Sequence, residues 1–463
     1  MKHRDRSPHT ATHYHFVGIG GISMSALAAI LLRDGLEVSG CDTQMNDLTA
    51  ELAKLGAVVY QGHDPAHLDG VGVVVATTAV TDDEPELVEA RRRNIPTLRR
   101  VHLLGEILGK GYSLGVTGSH GKTTTSAMLA SIFLEAGTDP TVILGAKLPS
   151  MGGNARYGRG KYRIAEVDES DPWFQHLALD VAVVMNLEPD HVGTPTERRP
   201  NYHPDFDSLK EAVRRFARNA QRVVYNAEWP GLDELIQHPK RVSFGLEQGD
   251  CHTQNLHLLP MSSRFTVVWR GDPLGLVELG VPGLHNVVDA LAAITVALLE
   301  GLPFSAIQKA LAAFRGAHRR FELLGEIHGA WVVDDYAHNP TKVRSVLEAA
   351  KGTGRRVRAV FQPHRYLRTA QLWAEFAEAL GLADEALVLE VYAAGEQPIP
   401  GVSGRMIADK LIAQGHNAQF LGWSEARDYL EKNLKDGDLV LTIGAGDVWK
   451  LGKELLERTK ERA

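Results

Sequence analysis

Residues 112–137 read YSLGVTGSHGKTTTSAMLASIFLEAG: an apolar run, a glycine-rich turn, then an alanine-rich stretch of helical length. A short strand that breaks into glycines and resumes as a helix is the opening of an α/β unit. The turn Gly118-Ser119-His120-Gly121-Lys122-Thr123-Thr124 keeps the Gly-Lys-Thr core of a phosphate loop, with Val116 where the first glycine of the eight-residue pattern stands. In such a loop backbone N–H groups cradle phosphates, the lysine reaches them as a point charge, and the hydroxyl after it suits Mg2+. An ATP-type triphosphate is the ligand this chemistry calls for.

A magnesium nucleotide needs hard oxygen donors nearby. Two acidic clusters follow strand-like runs, EVDESD at 166–171 and NLEPDH at 186–191. Strand C-terminal ends are where α/β crevices hold ligands. Thr123, Glu166 and His191 are therefore the metal-side candidates. A hydrogen bond from His191 to a carboxylate is the other reading of that residue, since histidine is an unusual Mg2+ ligand. Glu188 and Asp190 are expected to order the loop. Asn286, at the entrance of the apolar stretch 283–299, reads equally well as an adenine contact or a helix N-cap.

Working outward, residues 14–42 repeat the strand–glycine–helix–strand pattern. The loop Gly18-Ile19-Gly20-Gly21-Ile22-Ser23 carries Ser23 where a dinucleotide loop has its third glycine. NAD or FAD, another nucleotide diphosphate, and a merely tight turn all fit it. Asp42 ends the next strand, where a sugar hydroxyl acceptor would sit. Thr78 lies in a later segment, 76–80, that could present hydroxyls to the same ligand. Capping of the following helix by Thr81 or Asp82 is the structural alternative. GAVVYQG and GVGVVVATTAV read as buried parallel strands, whereas RVSFG, NLHLLP and SRFTVVWRG suggest an antiparallel patch.

The C-terminal stretch alternates strands and helices, which predicts a third parallel α/β unit. Basic groups gather at its strand ends: His318, Arg319 and Arg320; Asp335 and His338; Arg365 and Arg368; and the tight Gly444-Ala445-Gly446-Asp447. Cationic groups there would hold a carboxylate or transferring phosphoryl oxygens. The expected fold class is α/β in three domains. They are a Rossmann-like domain over 1–110, a P-loop domain with a small antiparallel patch over 111–318, and a Rossmann-like domain over 319–463.

The 463 residues, 44% apolar and 23% charged, suffice for three domains. A net charge of −7 argues against holding a nucleic-acid backbone by bulk charge. Two cysteines, Cys41 and Cys251, form no CxxC unit, which argues against disulfides and against a thiolate zinc site. The polar N-terminus is no secretory signal, and no apolar run is long enough to cross a bilayer. A cytoplasmic protein without membrane insertion is expected. There is no G-x-S-x-G elbow and no HExxH.

Taken together, GIGGISMS, TGSHGKTTT, EVDESD, NLEPDH, GLHNVVDALAA, HRRFE, DDYAHNPT, FQPHRYLRT and EVYAAGEQPIPG, in this order, resemble the Mur ligase family. The last two are the most specific to its alanine-adding branch. The resemblance implies ATP- and Mg2+-dependent joining of L-alanine to the lactyl carboxylate of UDP-N-acetylmuramate through an acyl phosphate, by a monomer or weak homodimer. It implies that Gly20, Gly21 and Ser23 lie near the UDP diphosphate. Gly118, Ser119, His120, Gly121, Lys122, Thr123 and Thr124 would hold ATP, with Asn286 on adenine, Arg320 on phosphate and Asp335 lining the nucleotide cleft. Lys122, His191, His338 and Arg365 would be catalytic, with Arg365 and Arg368 on the amino-acid side. Closure of the third domain would keep water from the acyl phosphate. A recycling ligase that attaches a ready-made peptide is the family rival, disfavoured by Ser170 in EVDESD. A non-catalytic nucleotide-binding scaffold is the rival of another class. The chain departs from the family pattern at Gly193, in the insert 194–205, at Asn339 and at Asp289.

Overall fold

The computed structural model describes residues 12–77, 80–189, 192 and 203–462. Five strands form the first sheet: β1 (His13–Val17), β2 (Glu37–Asp42), β3 (Val58–Gln61), β4 (Val73–Ala76) and β5 (Thr97–Arg99), in the order β3-β2-β1-β4-β5. Every pair is parallel. Of the central strands only β4, Val-Val-Val-Ala, is apolar throughout, and it is wholly buried, as a strand covered on both faces is; β1 and β2 bury the polar His15 and Ser39 as well. The edge strand β3 is not the buried strand its β-branched run suggests, and Val58 is 53% exposed. Strand order reverses between β1 and β4, so the glycine loop after β1 opens at the switch point where such sheets take ligands.

The next sheet contains β6 (Tyr112–Thr117), β7 (Thr141–Leu148), β8 (Gly153–Arg156), β9 (Tyr162–Glu166), β10 (Val181–Val184), β11 (Arg222–Asn226) and β12 (Arg241–Phe244), ordered β12-β11-β10-β6-β9-β7-β8. Only β7 and β8 run antiparallel here. RVSFG, expected in the antiparallel patch, is β12 and pairs parallel with β11, because its crossover passes through the short helix Leu232–Leu235. The antiparallel patch is instead β13 (Cys251–Leu259), β14 (Ser262–Trp269) and β15 (Asp272–Leu279), neighbours in sequence and in the sheet. Their two-residue connections are too short for a parallel crossover. Register decides what surrounds the phosphate loop: β6 lies between β9 and β10, with Val116 opposite Glu166 and Thr117 opposite Val184.

The described chain forms two compact units, one up to residue 252 with 268–272 and 289–310, the other comprising 253–267, 273–288 and 311 onward. The first α/β block and the second as far as residue 252 lie in the first unit. They are joined there by Asn154, whose Nδ2 donates to Ile22 O at 2.6 Å, and by the Lys147–Glu51 ion pair at 2.6 Å.

In the second unit six strands, β16 (Glu322–Ile327), β17 (Ala330–Asp335), β18 (Arg356–Phe361), β19 (Glu385–Val388), β20 (Ala418–Phe420) and β21 (Asp438–Ile443), take the order β16-β17-β21-β18-β19-β20. All pairs are parallel except β16–β17, a hairpin the βαβ reading did not contain. Asp335 and Phe361 both lie opposite Ile443, so three strand ends bearing polar motifs meet at one edge. Below them the sheet buries a charge. Arg358, 2% exposed, donates through Nε to Asp438 Oδ2 at 2.9 Å, through Nη1 to Glu385, and through Nη2 to Asn433 O at 2.9 Å. Removing one partner of a buried pair leaves uncompensated charge. Arg358→Ala is expected to lower stability by about 3–5 kcal/mol in urea unfolding; a loss within about 0.5 kcal/mol, ordinary for a surface substitution, would contradict that role.

Candidate active site

The phosphate loop has a backbone that only glycine takes easily. Gly118 has φ +138° and Gly121 φ +79°. A Cβ on Gly118 would lie 2.9 Å from Met185 Cβ, and one on Gly121 would lie 2.2 Å from Asp289 Oδ1. The loop is pinned by the segment after β10. His120 N donates to Asn186 Oδ1 at 2.7 Å, Asn186 Nδ2 donates back to His120 O at 3.1 Å, and His120 Nε2 meets Glu188 Oε2 at 2.6 Å. Glu188 N also donates to the buried Ser119 hydroxyl at 2.8 Å. Glu188 is thus a loop-ordering residue, as expected of it.

Lys122 opens the helix Lys122–Glu135 and turns its ammonium back over the loop, donating to Gly118 O at 2.5 Å and to Glu169 Oε2 at 2.7 Å. Burial opposes that charge, but Glu169, Asp168 and Glu166 more than offset it and hold the ammonium above its ordinary pKa. Thr123 donates its hydroxyl to Glu166 Oε2 at 2.7 Å, and the same oxygen accepts Gly145 N at 3.0 Å. Two hard oxygens therefore stand side by side next to a cation. Thr124 is buried in the first turn. His191 and Gly193 lie outside the described residues, as does most of the insert 194–205.

At the first loop, Gly18 N and Ile19 N donate to Cys41 O at 2.9 and 3.0 Å. Gly20 N donates to Asp42 Oδ2 at 2.9 Å, and Asn46 Nδ2 to Gly20 O at 3.1 Å. The other Asp42 oxygen accepts Gln44 N at 3.2 Å. Asp42, read from sequence as a hydroxyl acceptor, is engaged here in bracing the glycine turn. Gly21 is the N-cap of the helix Ile22–Arg33 and places Ser23 in its first turn. Thr78 lies outside the described residues. Neither Thr81 nor Asp82 caps the next helix, Pro85–Arg92; its N-cap is Glu84, which makes no side-chain cap bond, while Thr81 bonds Asp83.

In the second unit, Arg319 ties the converging strand ends together through Asp334 Oδ2 at 2.9 Å, Gly446 O at 3.0 Å and Gly444 O at 2.6 Å. Arg320 lies 5.2 Å from the centre of the Tyr336 ring. Asp335 accepts Phe321 N at 2.8 Å and Ala337 N at 2.7 Å; burial pushes its carboxyl up to about 6, against the pull of Arg320. His338 Nδ1–H donates to Tyr336 O at 2.9 Å, which sets its tautomer. Arg365 has φ 71° and ψ 134° just before the helix Tyr366–Leu380, whose first turn carries Arg368. Strained non-glycine backbone of this kind costs ~1–3 kcal/mol and collects at functional sites; Arg319 at φ 62° and Phe321 at φ 46° lie in the same cluster. Asn286 is inside the helix Leu284–Leu299, and its Nδ2 donates to Pro282 O at 2.6 Å, which excludes the N-cap reading.

Three family models match in succession: "Mur ligase family, catalytic domain" over residues 13–112, "Mur ligase middle domain" over 116–297, and "Mur ligase, glutamate ligase domain" over 319–446. The chain belongs to the Mur ligase family. It is 44% identical to a UDP-N-acetylmuramate–L-alanine ligase of Deinococcus radiodurans, across 97% of this chain and 94% of that one. It is 41% identical to the enzyme of that name from Desulfosudis oleivorans, across 96% and 98%. The crystal structure of UDP-N-acetylmuramate–alanine ligase MurC from Thermotoga maritima superposes with a TM-score of 0.84 at 33% identity, covering 97% of this chain and 100% of that one.

In this Mur ligase the structure brings Lys122, Thr123, Glu166 and the loop glycines together in one unit, and Arg320, Asp335, His338 and Arg365 together in the other. Sequence reasoning passed over Asn186 and Asn46, whose amides brace the two glycine loops, and gave no role to Glu169. The usable signal was position: Asn186 follows β10 directly, at the level of the phosphate loop.

His364 and His285 both sit below their ordinary pKa, at about 4, burial being the main cause and nearby arginines the next. The unfolded chain therefore binds protons that the folded histidines refuse, and stability falls as pH drops from 6.5 towards 4. His364→Gln is expected to shallow that slope in denaturant titrations at pH 7, 6 and 5; an unchanged slope would mean His364 protonates freely in the fold.

Proposed function

We propose that this Mur ligase joins L-alanine to the lactyl carboxylate of UDP-N-acetylmuramate at the expense of ATP, giving UDP-N-acetylmuramoyl-L-alanine, ADP and phosphate for peptidoglycan precursor synthesis. The observation that carries the reading is the Lys122 ammonium, fixed over a glycine loop beside Thr123 and Glu166, in a chain whose relatives above 40% identity are named for this reaction. Residues 1–110 hold the UDP-sugar, with Gly20, Gly21, Ser23, Asp42 and Thr78 on its side. Residues 111–318 hold ATP, with Asn286 on adenine. Residues 319–463 bring Arg320 to phosphate, Asp335 and His338 to the nucleotide, and Arg365 and Arg368 to the amino acid.

A carboxylate is a poor acyl donor because oxide is a poor leaving group. Its oxygen attacks the γ-phosphorus, the bond to the bridging β–γ oxygen breaks, and ADP departs. The L-alanine amine, neutral, then forms the C–N bond at the acyl phosphate carbon. The tetrahedral adduct expels phosphate and the nitrogen proton passes to base. Lys122 supplies positive charge to the γ-oxygens as negative charge builds on them, most effective where water is excluded. The Thr123 hydroxyl and Glu166 carboxylate, 2.7 Å apart, are the hard oxygen pair Mg2+ takes, with His191 the further candidate. Bound there, Mg2+ would neutralise triphosphate charge.

Among the described residues no helix is long and apolar enough to cross a membrane. A cytoplasmic enzyme, monomeric or weakly dimeric, accords with its nucleotide substrates. Phosphate release should require UDP-N-acetylmuramate and L-alanine together, and Lys122→Ala should cut it by on the order of 10³-fold while leaving UDP-sugar affinity unchanged. Release that requires a murein tripeptide in place of L-alanine would favour a recycling ligase; release with neither would end the reading.

A further inference from the structure

Behind the first glycine loop, two strand ends and a helix start bring metal-ligating groups to one point. Cys41 comes from β2, His63 from just beyond β3, and Glu84 and Glu86 from the start of the helix Pro85–Arg92. Cys41 Sγ lies 2.8 Å from Glu86 Oε2 and 3.1 Å from His63 Nδ1, which is 3.3 Å from the same Glu86 oxygen. Zinc bonds of ~2.0–2.3 Å in a tetrahedron put donor atoms roughly 3.3–3.6 Å apart. The two edges at His63 are within about 0.5 Å of that spacing, and the Cys41–Glu86 edge would open by about 0.5–0.8 Å to take an ion.

Two further observations point inward. Glu84 Oε1, 3.6 Å from His63 Nδ1, is buried and completes no hydrogen bond. His15, wholly buried, holds Ser39 Oγ with Nδ1 at 2.8 Å, while its Nε2 makes no hydrogen bond and faces Glu86 Oε1 at 3.5 Å. A buried polar atom left unmatched costs ~1–3 kcal/mol, and two carboxylates facing one thiol repel once charged. The far side of Glu86 is already braced: Oε1 meets His67 Nδ1 at 2.7 Å and accepts Asp64 N at 3.3 Å, and the His67 ring stacks on Tyr60 at 4.0 Å. That is how outer partners orient a ligating carboxylate.

We propose that Cys41 Sγ, His63 Nδ1 and Glu86 Oε2 form a structural site for a divalent transition metal of the Zn2+ class, oriented by His67 and His15, with Glu84 Oε1 beside His63 the nearest further oxygen. A mixed sulfur, nitrogen and oxygen set suits a borderline ion such as Zn2+ and not Mg2+. On binding, the thiol proton of Cys41 leaves to solvent as the S–metal bond forms, and His63 binds as the neutral imidazole. The side chains of His63 and Glu84, 18% and 19% exposed, leave a way in, whereas Glu86 is fully buried. Expectation from CxxC spacing ran against a thiolate site because these donors come from separate strand ends. Cys41 O accepts Gly18 N and Ile19 N, so the metal would clip the glycine loop from behind.

The test uses the full-length protein, stripped with chelator and titrated with Co2+, then Zn2+. Stoichiometric Co2+ should give a near-ultraviolet thiolate charge-transfer band and tetrahedral d–d bands, bleached by Zn2+. Cys41→Ser should lose the thiolate band and Cys251→Ser keep it. His67→Ala should retain the band with affinity for Zn2+ lowered ~10–100-fold. Should Cys41→Ser misfold, His63→Ala serves instead, with loss of the tetrahedral d–d bands. A wild-type protein without the thiolate band, or a folded Cys41→Ser protein that keeps it, overturns the site.

Discussion

One buried ammonium organises the central site. Lys122 is held over the phosphate loop by Glu169 and by the carbonyl of Gly118, on a helix start whose free amides already favour an anion. Charge in that position is stable only because three carboxylates surround it. The same arrangement makes the lysine exchangeable: a triphosphate brings more negative charge than Glu169 offers. Asn186, Glu188 and Asp289 shape the loop so that this exchange involves one side chain and leaves the backbone as it is.

Sheet topology puts each functional segment in place by one rule. In all three sheets the strand order reverses, and the polar motifs follow the strands at that reversal: β1 in the first, β6 in the second, β17, β21 and β18 in the third. Helices diverge there and leave backbone ends without partners. The second unit braces its convergence with Arg319, which spans the ends of β17 and β21, and concentrates its strained residues, Arg319, Phe321 and Arg365, in the same place. Arg319 read from sequence as part of a basic spot; its guanidinium is in fact consumed by structure, and Arg320 beside it is the better placed for a ligand.

Much of this was legible in the residues. The Gly-Lys-Thr core, the strand before it and the acidic runs after the next strands located the loop and its carboxylate neighbours, because each lies within a few positions of a readable strand end. β16 was missed because Glu322–Ile327 alternates weakly and carries a register shift between Leu323 and Gly325. Val58 in β3 misled because a β-branched run looks the same at an edge as in a core. The Cys41–His63–Glu86 cluster was invisible, since its members are separated by 22 to 45 positions and only the parallel pairing of β1 to β4 gathers them. Contacts that depend on register have no local signature.

The proposed chemistry rests on the terminal phosphate of ATP meeting Lys122 above Gly118–Thr123. A crystal structure with Mg2+ and a non-hydrolysable ATP analogue tests that directly. The β- and γ-phosphates should lie within hydrogen-bonding reach of the loop amides, with Lys122 Nζ turned from Glu169 to the γ-phosphate and Thr123 and Glu166 on the metal side. A nucleotide bound elsewhere, or one bound at the loop with the Lys122–Glu169 pair intact, would contradict it.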